Sequence, residues 1–158
     1  MKKIIFLAAI ALVMISCKSS SVTTTKLDKS VQVALKGNWI ISSVTYPSSE
    51  YIKVNSFDLA DSQCFVGSTW KFISNNNRGK MALTKYSCSA FSSPITWFVN
   101  TGGEFVLKIL GANSKSKKVR EGYVLSVANQ TENKFQLIDK ITIGGKLTDV
   151  VYQFQRVN

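Results

Sequence analysis

Residues 134–157, KFQLIDKITIGGKLTDVVYQFQRV, decide the fold. Gly144-Gly145 is a two-residue hairpin turn of the primed type, which glycine pairs adopt without steric cost. Folding the segment at that turn sets Phe135 opposite Phe154 and Leu137 opposite Tyr152 on one face. On the other face Gln136 meets Gln153 and Lys134 meets Gln155. Apolar and polar faces emerge together, as a half-buried antiparallel pair requires. Ile138 opposite Val151 is the exception, an apolar pair on the nominally wet face and a candidate contact for a protein partner.

The same sorting extends upstream. A three-residue loop at Thr101-Gly102-Gly103 groups Ile95, Trp97 and Val99 with Phe105, Leu107 and Ile109, while Thr96 faces Lys108. A four-residue loop within Ser74–Gly79 sets Trp70 opposite Leu83 and Phe72 opposite Met81. From Leu35 onwards, short β-branched and aromatic runs alternate with Asn, Gly and Ser clusters, and no stretch sustains a helical period. Strands are expected at about 37–46, 67–74, 79–86, 95–100, 104–110, 122–128, 134–143 and 146–157. The long connection from Pro47 to Phe65 carries an expected helical turn near Phe57–Ser62. Eight strands with mostly tight links make an all-β up-and-down meander. An open sheet of this kind would leave two edges and a wet apolar face, so an eight-stranded antiparallel barrel is expected.

Leu35-Lys36-Gly37-Asn38-Trp39 resembles the Gly-x-Trp entry of lipocalins, and Arg156 stands where they place an arginine over that tryptophan. Residues 64–72, CFVGSTWKF, and 95–100, ITWFVN, are similar to bacterial lipocalin-like lipoproteins. The resemblance covers about Leu35 to Val157 and implies a lipocalin-like barrel. Trp39 and Arg156 then serve barrel closure, an indole plug under a stacked guanidinium. The resemblance also implies non-catalytic binding of a small apolar or amphipathic molecule inside the barrel. Its wall would be Trp70, Phe72, Trp97, Phe105 and Leu107, completed by Tyr123, Leu125, Phe135, Leu137 and Tyr152. The alternative is a barrel filled by those side chains, acting as an envelope interaction or structural protein.

The N-terminus reads as a secretory signal: Met1-Lys2-Lys3, an apolar run from Ile4 to Ile15 too short to span a bilayer, then Ser16-Cys17. Met14-Ile15-Ser16-Cys17 resembles the lipobox of bacterial lipoproteins, whose cysteine thiol is diacylated, with palmitate for example, and becomes the new N-terminus. This implies a signal peptide at 1–16, a lipidated N-terminus and flexible Ser/Thr-rich tether at 17–34, and a barrel domain at 35–158. A coil of that length holds a domain roughly 20–25 Å from its anchor. Lys18 stands where an aspartate would retain a lipoprotein at the inner membrane, so an outer-membrane lipoprotein is expected, and the lack of a surface-export acidic run after it points to the periplasmic face. With Cys17 acylated, Cys64 and Cys88 are an even pair in an oxidising compartment and are expected to bond. The hairpin register leaves them one residue out of alignment, which calls for a bulge or an irregular strand end.

Composition narrows the chemistry. Histidine is absent, which removes Ser-His-Asp and Cys-His catalysis and His-based zinc sites together. Only nine acidic residues are present, with no calcium-loop spacing. No enzyme, metal or cofactor is expected. The net charge of +11 is spread over scattered lysines, with one denser patch, Lys115-Ser116-Lys117-Lys118-Val119-Arg120, in an expected loop. No nucleic-acid-binding signature accompanies it, so nucleic acid is not an expected partner.

Overall fold

The computed structural model describes residues 29–47, 53–111 and 122–157. The signal peptide, Cys17, the first part of the tether and the Lys115–Arg120 patch lie outside the described residues. Within them the chain forms helix α1 (Lys29–Leu35) and strand β1 (Gly37–Thr45), followed by the two-residue strands β2 (Asn55–Ser56) and β3 (Ala60–Asp61). A 3-10 turn (Ser62–Phe65) leads into β4 (Thr69–Ile73), β5 (Arg78–Leu83) and β6 (Phe91–Val99). Then come β7 (Glu104–Ile109), β8 (Tyr123–Ala128), β9 (Lys134–Ile143) and β10 (Lys146–Arg156). Eight strands close into one antiparallel barrel in the order β1-β10-β9-β8-β7-β6-β5-β4, with β2 and β3 forming a separate hairpin.

The β9–β10 register is the one that Gly144-Gly145 dictates: Phe135↔Phe154, Leu137↔Tyr152, Ile138↔Val151. The β6–β7 register likewise sets Thr96 against Lys108 and Val99 against Phe105. Closure falls to β1, which pairs with β10 through Trp39↔Arg156 and with β4 through Trp39↔Trp70. Its ladder slips between Ile41 and Ser43. That bulge resets the two-residue alternation, so that Trp39, Ile41 and Val44 are all buried.

Several expectations need correction. Residues 29–34, read as the end of the tether, are helical. The signal was masked by a polar residue at a core-facing position, for Gln32 and Leu35 are both buried. Gln32 Nε2 donates to the Ser74 carbonyl at 3.1 Å, and its Oε1 accepts from the Val99 amide at 3.5 Å, which ties α1 beneath β4 and β6. The β4–β5 loop is Ser74–Asn77 rather than one residue later, giving Trp70↔Met81 and Phe72↔Gly79. The faces survive because the shift is two residues. Asn77 takes the positive φ of 56° and Asn76 Oδ1 accepts from the Arg78 amide, which fixes the turn there. The helical turn falls at Ser62–Phe65, and the expected position holds the β2–β3 hairpin instead. Strand β6 begins at Phe91, upstream of Pro94. Pro94 accepts from Leu110 on the β7 side, so the donor it lacks would point just past the end of β7.

Candidate functional site

The barrel interior divides into a closed end and a mouth. At the closed end the Trp39 indole, 1% exposed, donates to the Leu35 carbonyl at 2.9 Å and meets Phe135 edge-on at 4.7 Å. The Arg156 guanidinium lies 4.2 Å from the indole ring centre. Its nitrogens donate to the carbonyls of Glu132 (2.7 Å), Lys36 (3.1 Å) and Ala34 (3.2 Å). Helix ends leave carbonyls without intrahelical donors, and here the Arg156 fork reaches those at the end of α1. Trp39 and Arg156 are thus neighbours at one end of the barrel.

All ten side chains expected to wall a cavity are buried and join one core. Much of that core is ring against ring. Phe72 has Trp97 at 5.0 Å, Phe105 at 5.5 Å, Trp70 at 6.0 Å, Phe154 at 6.1 Å and Phe135 at 6.5 Å. Trp97 stacks on Phe105, and Phe135 on Phe154. These contacts cross from β4 to β7 and β10, so rings occupy the axis of the closed half.

The mouth is built differently. The β2–β3 hairpin turns through Ser56-Phe57-Asp58-Leu59, with φ of 55° at Phe57 and 50° at Asp58 and a Leu59 amide bond to the Ser56 carbonyl. Such turns ordinarily use Asn-Gly, because a bulky residue at positive φ costs about 1–2 kcal/mol. The strained residue carries its ring inwards. Phe57 is 4% exposed and meets Tyr123 at 5.1 Å, Phe65 at 5.2 Å and Tyr152 at 5.3 Å.

Polar groups gather around this aromatic plug. The Tyr152 hydroxyl donates to Ser56 Oγ at 2.6 Å, and that of Tyr123 to Asp58 Oδ2 at 3.4 Å. Burial raises the pKa of Tyr123 well above the usual phenol value, and the Asp58 and Asp139 carboxylates add to it. Burial likewise raises that of Tyr152, outweighing the lowering effect of the Ser56 bond, and Asp139 and Tyr46 add smaller contributions. Both phenols are therefore lasting hydrogen-bond donors.

Cys64, in the 3-10 turn, is bonded to Cys88, in the loop after β5, with Cα atoms 5.8 Å apart. Both lie beyond the regular strand ends, which is how the one-residue misfit is absorbed. The bridge anchors the base of the mouth beside Phe65. Lys85 Nζ, donating to the Gln63 carbonyl at 2.9 Å, fastens the same two segments.

Phe57, Ser56, Asp58, Phe65 and Asp139 are mouth residues that the sequence reading left out. Asp139 had a signal, since the β9–β10 register puts it in phase with Phe135 and Leu137 and opposite the buried Val150. Phe57 and Asp58 had none, because no residue type there foretold two left-handed positions. The Ile138–Val151 pair offers less surface than expected: Val151 is 8% exposed and Ile138 half-buried. Among the described residues no cluster of three metal-ligating side chains occurs, and no helix is long and apolar enough to cross a membrane.

A closed eight-stranded antiparallel meander, with its first strand entered through Gly37-Asn38-Trp39 and sealed by Arg156, is a lipocalin-like barrel. No family model and no curated protein matches the chain. Among solved structures it is similar to bovine odorant binding protein in complex with a selenium-containing odorant. The two share 11% identity at a TM-score of 0.46, over 80% of this chain and 73% of that one.

Proposed function

We propose that the chain is a non-catalytic, lipid-anchored lipocalin-like protein that takes a small apolar or amphipathic molecule at the barrel mouth, in the volume held by Phe57. The observation that carries this reading is the plug itself. A phenylalanine is kept at φ 55° with its ring among Phe65, Tyr123 and Tyr152. Local strain persists where surrounding structure imposes it, and such sites cluster at ligand clamps. A ring on a two-residue-strand hairpin can leave at modest cost, and a ligand entering would bury its apolar surface against the same three rings. The hydroxyls of Tyr123 and Tyr152 would orient its polar end.

Phe57 then acts as an internal competitor, and apparent affinity is reduced by the fraction of molecules whose mouth is closed. Titrating the full chain with N-phenyl-1-naphthylamine tests this. Phe57→Gly, which suits the positive φ, should tighten probe binding by about tenfold or more. If Phe57→Gly leaves probe affinity unchanged, the reading fails. A filled barrel acting as an envelope interaction or structural protein, which the ring packing about Phe72 favours, would then take its place.

Anchorage rests on the Met14–Cys17 lipobox resemblance, and the outer membrane's periplasmic face on Lys18 and the lack of an acidic run after it. Incorporation of an alkyne-bearing palmitate analogue in a bacterial host should be lost in Cys17→Ser.

A further inference from the structure

The outward face of β1, β4, β5 and β6 carries a groove of about 490 Å³, bordered by Trp39 and Val157 where it nears the closed end. Its origin is visible in the ladder. One cross-strand row reads Ile40, Thr69, Ala82, Ser92, all but the first short side chains. The row beside it reads Asn38, Lys71, Lys80, Pro94, with the two lysines directly opposed. Short residues beside long ones leave a trough, floored by Ile40 and Ala82 and rimmed on one side by two ammonium groups.

Charge on this face has one sign. The charged residues of β1, β4, β5 and β6 are Lys71, Arg78 and Lys80, and none is acidic. Among the described residues no carboxylate lies within ion-pairing distance of them, whereas Lys140 and Asp149 on the β9–β10 hairpin pair at 2.8 Å. Like charges directly opposite one another on a sheet are destabilising, so Lys71 facing Lys80 is a standing cost that a bound anion would remove. A concave site of this volume suits one small molecule.

We propose that this groove is a second binding site, separate from the barrel interior, for a single anionic amphiphile, its carboxylate or phosphate held between Lys71 and Lys80 and its hydrocarbon laid over Ile40 and Ala82. The proposal does not depend on the mouth. Decyl phosphate, as monomer, titrated into the ¹⁵N-labelled full chain should shift the amides of Thr69, Lys71, Ala82 and Ser92. Lys71→Gln combined with Lys80→Gln should weaken that binding by at least about tenfold, and added salt should weaken it too. Ala82→Phe, which fills the floor without touching charge, should abolish it. If Ala82→Phe does not fold, the double lysine variant, confined to the surface, still decides. Phe57→Gly should leave groove binding unchanged, so failure here and failure at the mouth are told apart. Equal binding of decyltrimethylammonium, shifts confined to mouth residues, binding only to phosphatidylglycerol vesicles, or no shift at all would each overturn the proposal.

Discussion

Trp39 at the closed end and Phe57 at the mouth are both buried aromatic plugs, yet they are held in place by different physics. Trp39 sits on a regular strand, donates its indole N–H to Leu35 and lies beneath a guanidinium that reaches three carbonyls. Phe57 sits on a turn of unfavourable backbone, braced by a hairpin of two-residue strands and surrounded by phenols and carboxylates. Low-stability elements are where ligand-gated motion is found, and well-packed regular ones are where global stability resides. On the proposed reading, the difference between the ends makes one permanent and the other the end that exchanges.

The sharpest test compares two phenylalanines. Phe72→Ala empties the hub of the closed half and should cost about 3–5 kcal/mol, the usual range for a buried phenylalanine. Phe57→Gly also loses a buried ring but relieves left-handed strain, so its cost should be about 1–3 kcal/mol. Urea midpoints at constant m-value give both figures. Equal costs would break the contrast and make Phe57 ordinary core.

Arg156 probes the closed end's other half. Arg156→Ala removes three hydrogen bonds and the contact over Trp39, but its bonds lie near solvent, so about 1–3 kcal/mol is expected. Arg156→Lys should recover less than about half of that, because one ammonium cannot span carbonyls of Ala34, Lys36 and Glu132. Full recovery by lysine would show that charge alone, and not the fork, closes this end.

The closed end was legible in sequence for reasons that also explain what was not. Period-two alternation in β9 and β10, with Gly144-Gly145 between them, leaves one register that buries Phe135, Leu137, Tyr152 and Phe154 together. Trp39 and Arg156 were placed by the resemblance to lipocalins, and closure of the sheet brings their strands together. Helix α1 was hidden because Gln32, a polar residue, occupies a buried position and pairs with backbone that only the closed barrel supplies. The mouth escaped for a related reason. Left-handed backbone at Phe57 and Asp58 is imposed by what their side chains reach across the barrel, not by their own preferences. Two-residue strands are likewise too short for any alternation to register. Pairing of Cys64 with Cys88 needed only the count of thiols and the expected compartment, so it was readable even while the local register was not.

The smallest expected effect separates the two ends by pH. An unfolded tyrosine ionises near pH 10, whereas Tyr152 in the folded chain is held protonated to higher pH by burial, which outweighs the opposing Ser56 bond. Its contribution to stability is therefore complete below pH 10. Above that, the unfolded chain sheds a proton that the folded chain keeps, and stability falls by up to about 1.4 kcal/mol per pH unit. Tyr152→Phe should remove that share of the alkaline slope, seen as a flatter dependence of the urea midpoint between pH 10 and 11. Hydrogen exchange places the loss within the molecule. If the mouth is the exchanging end, amides of Phe57 and Leu59 should gain exchange before those of Trp39 and Ile41 as pH rises, once the intrinsic base-catalysed rate is divided out. Simultaneous opening of both ends would mean that the barrel responds as one cooperative unit and that Phe57 is no gate.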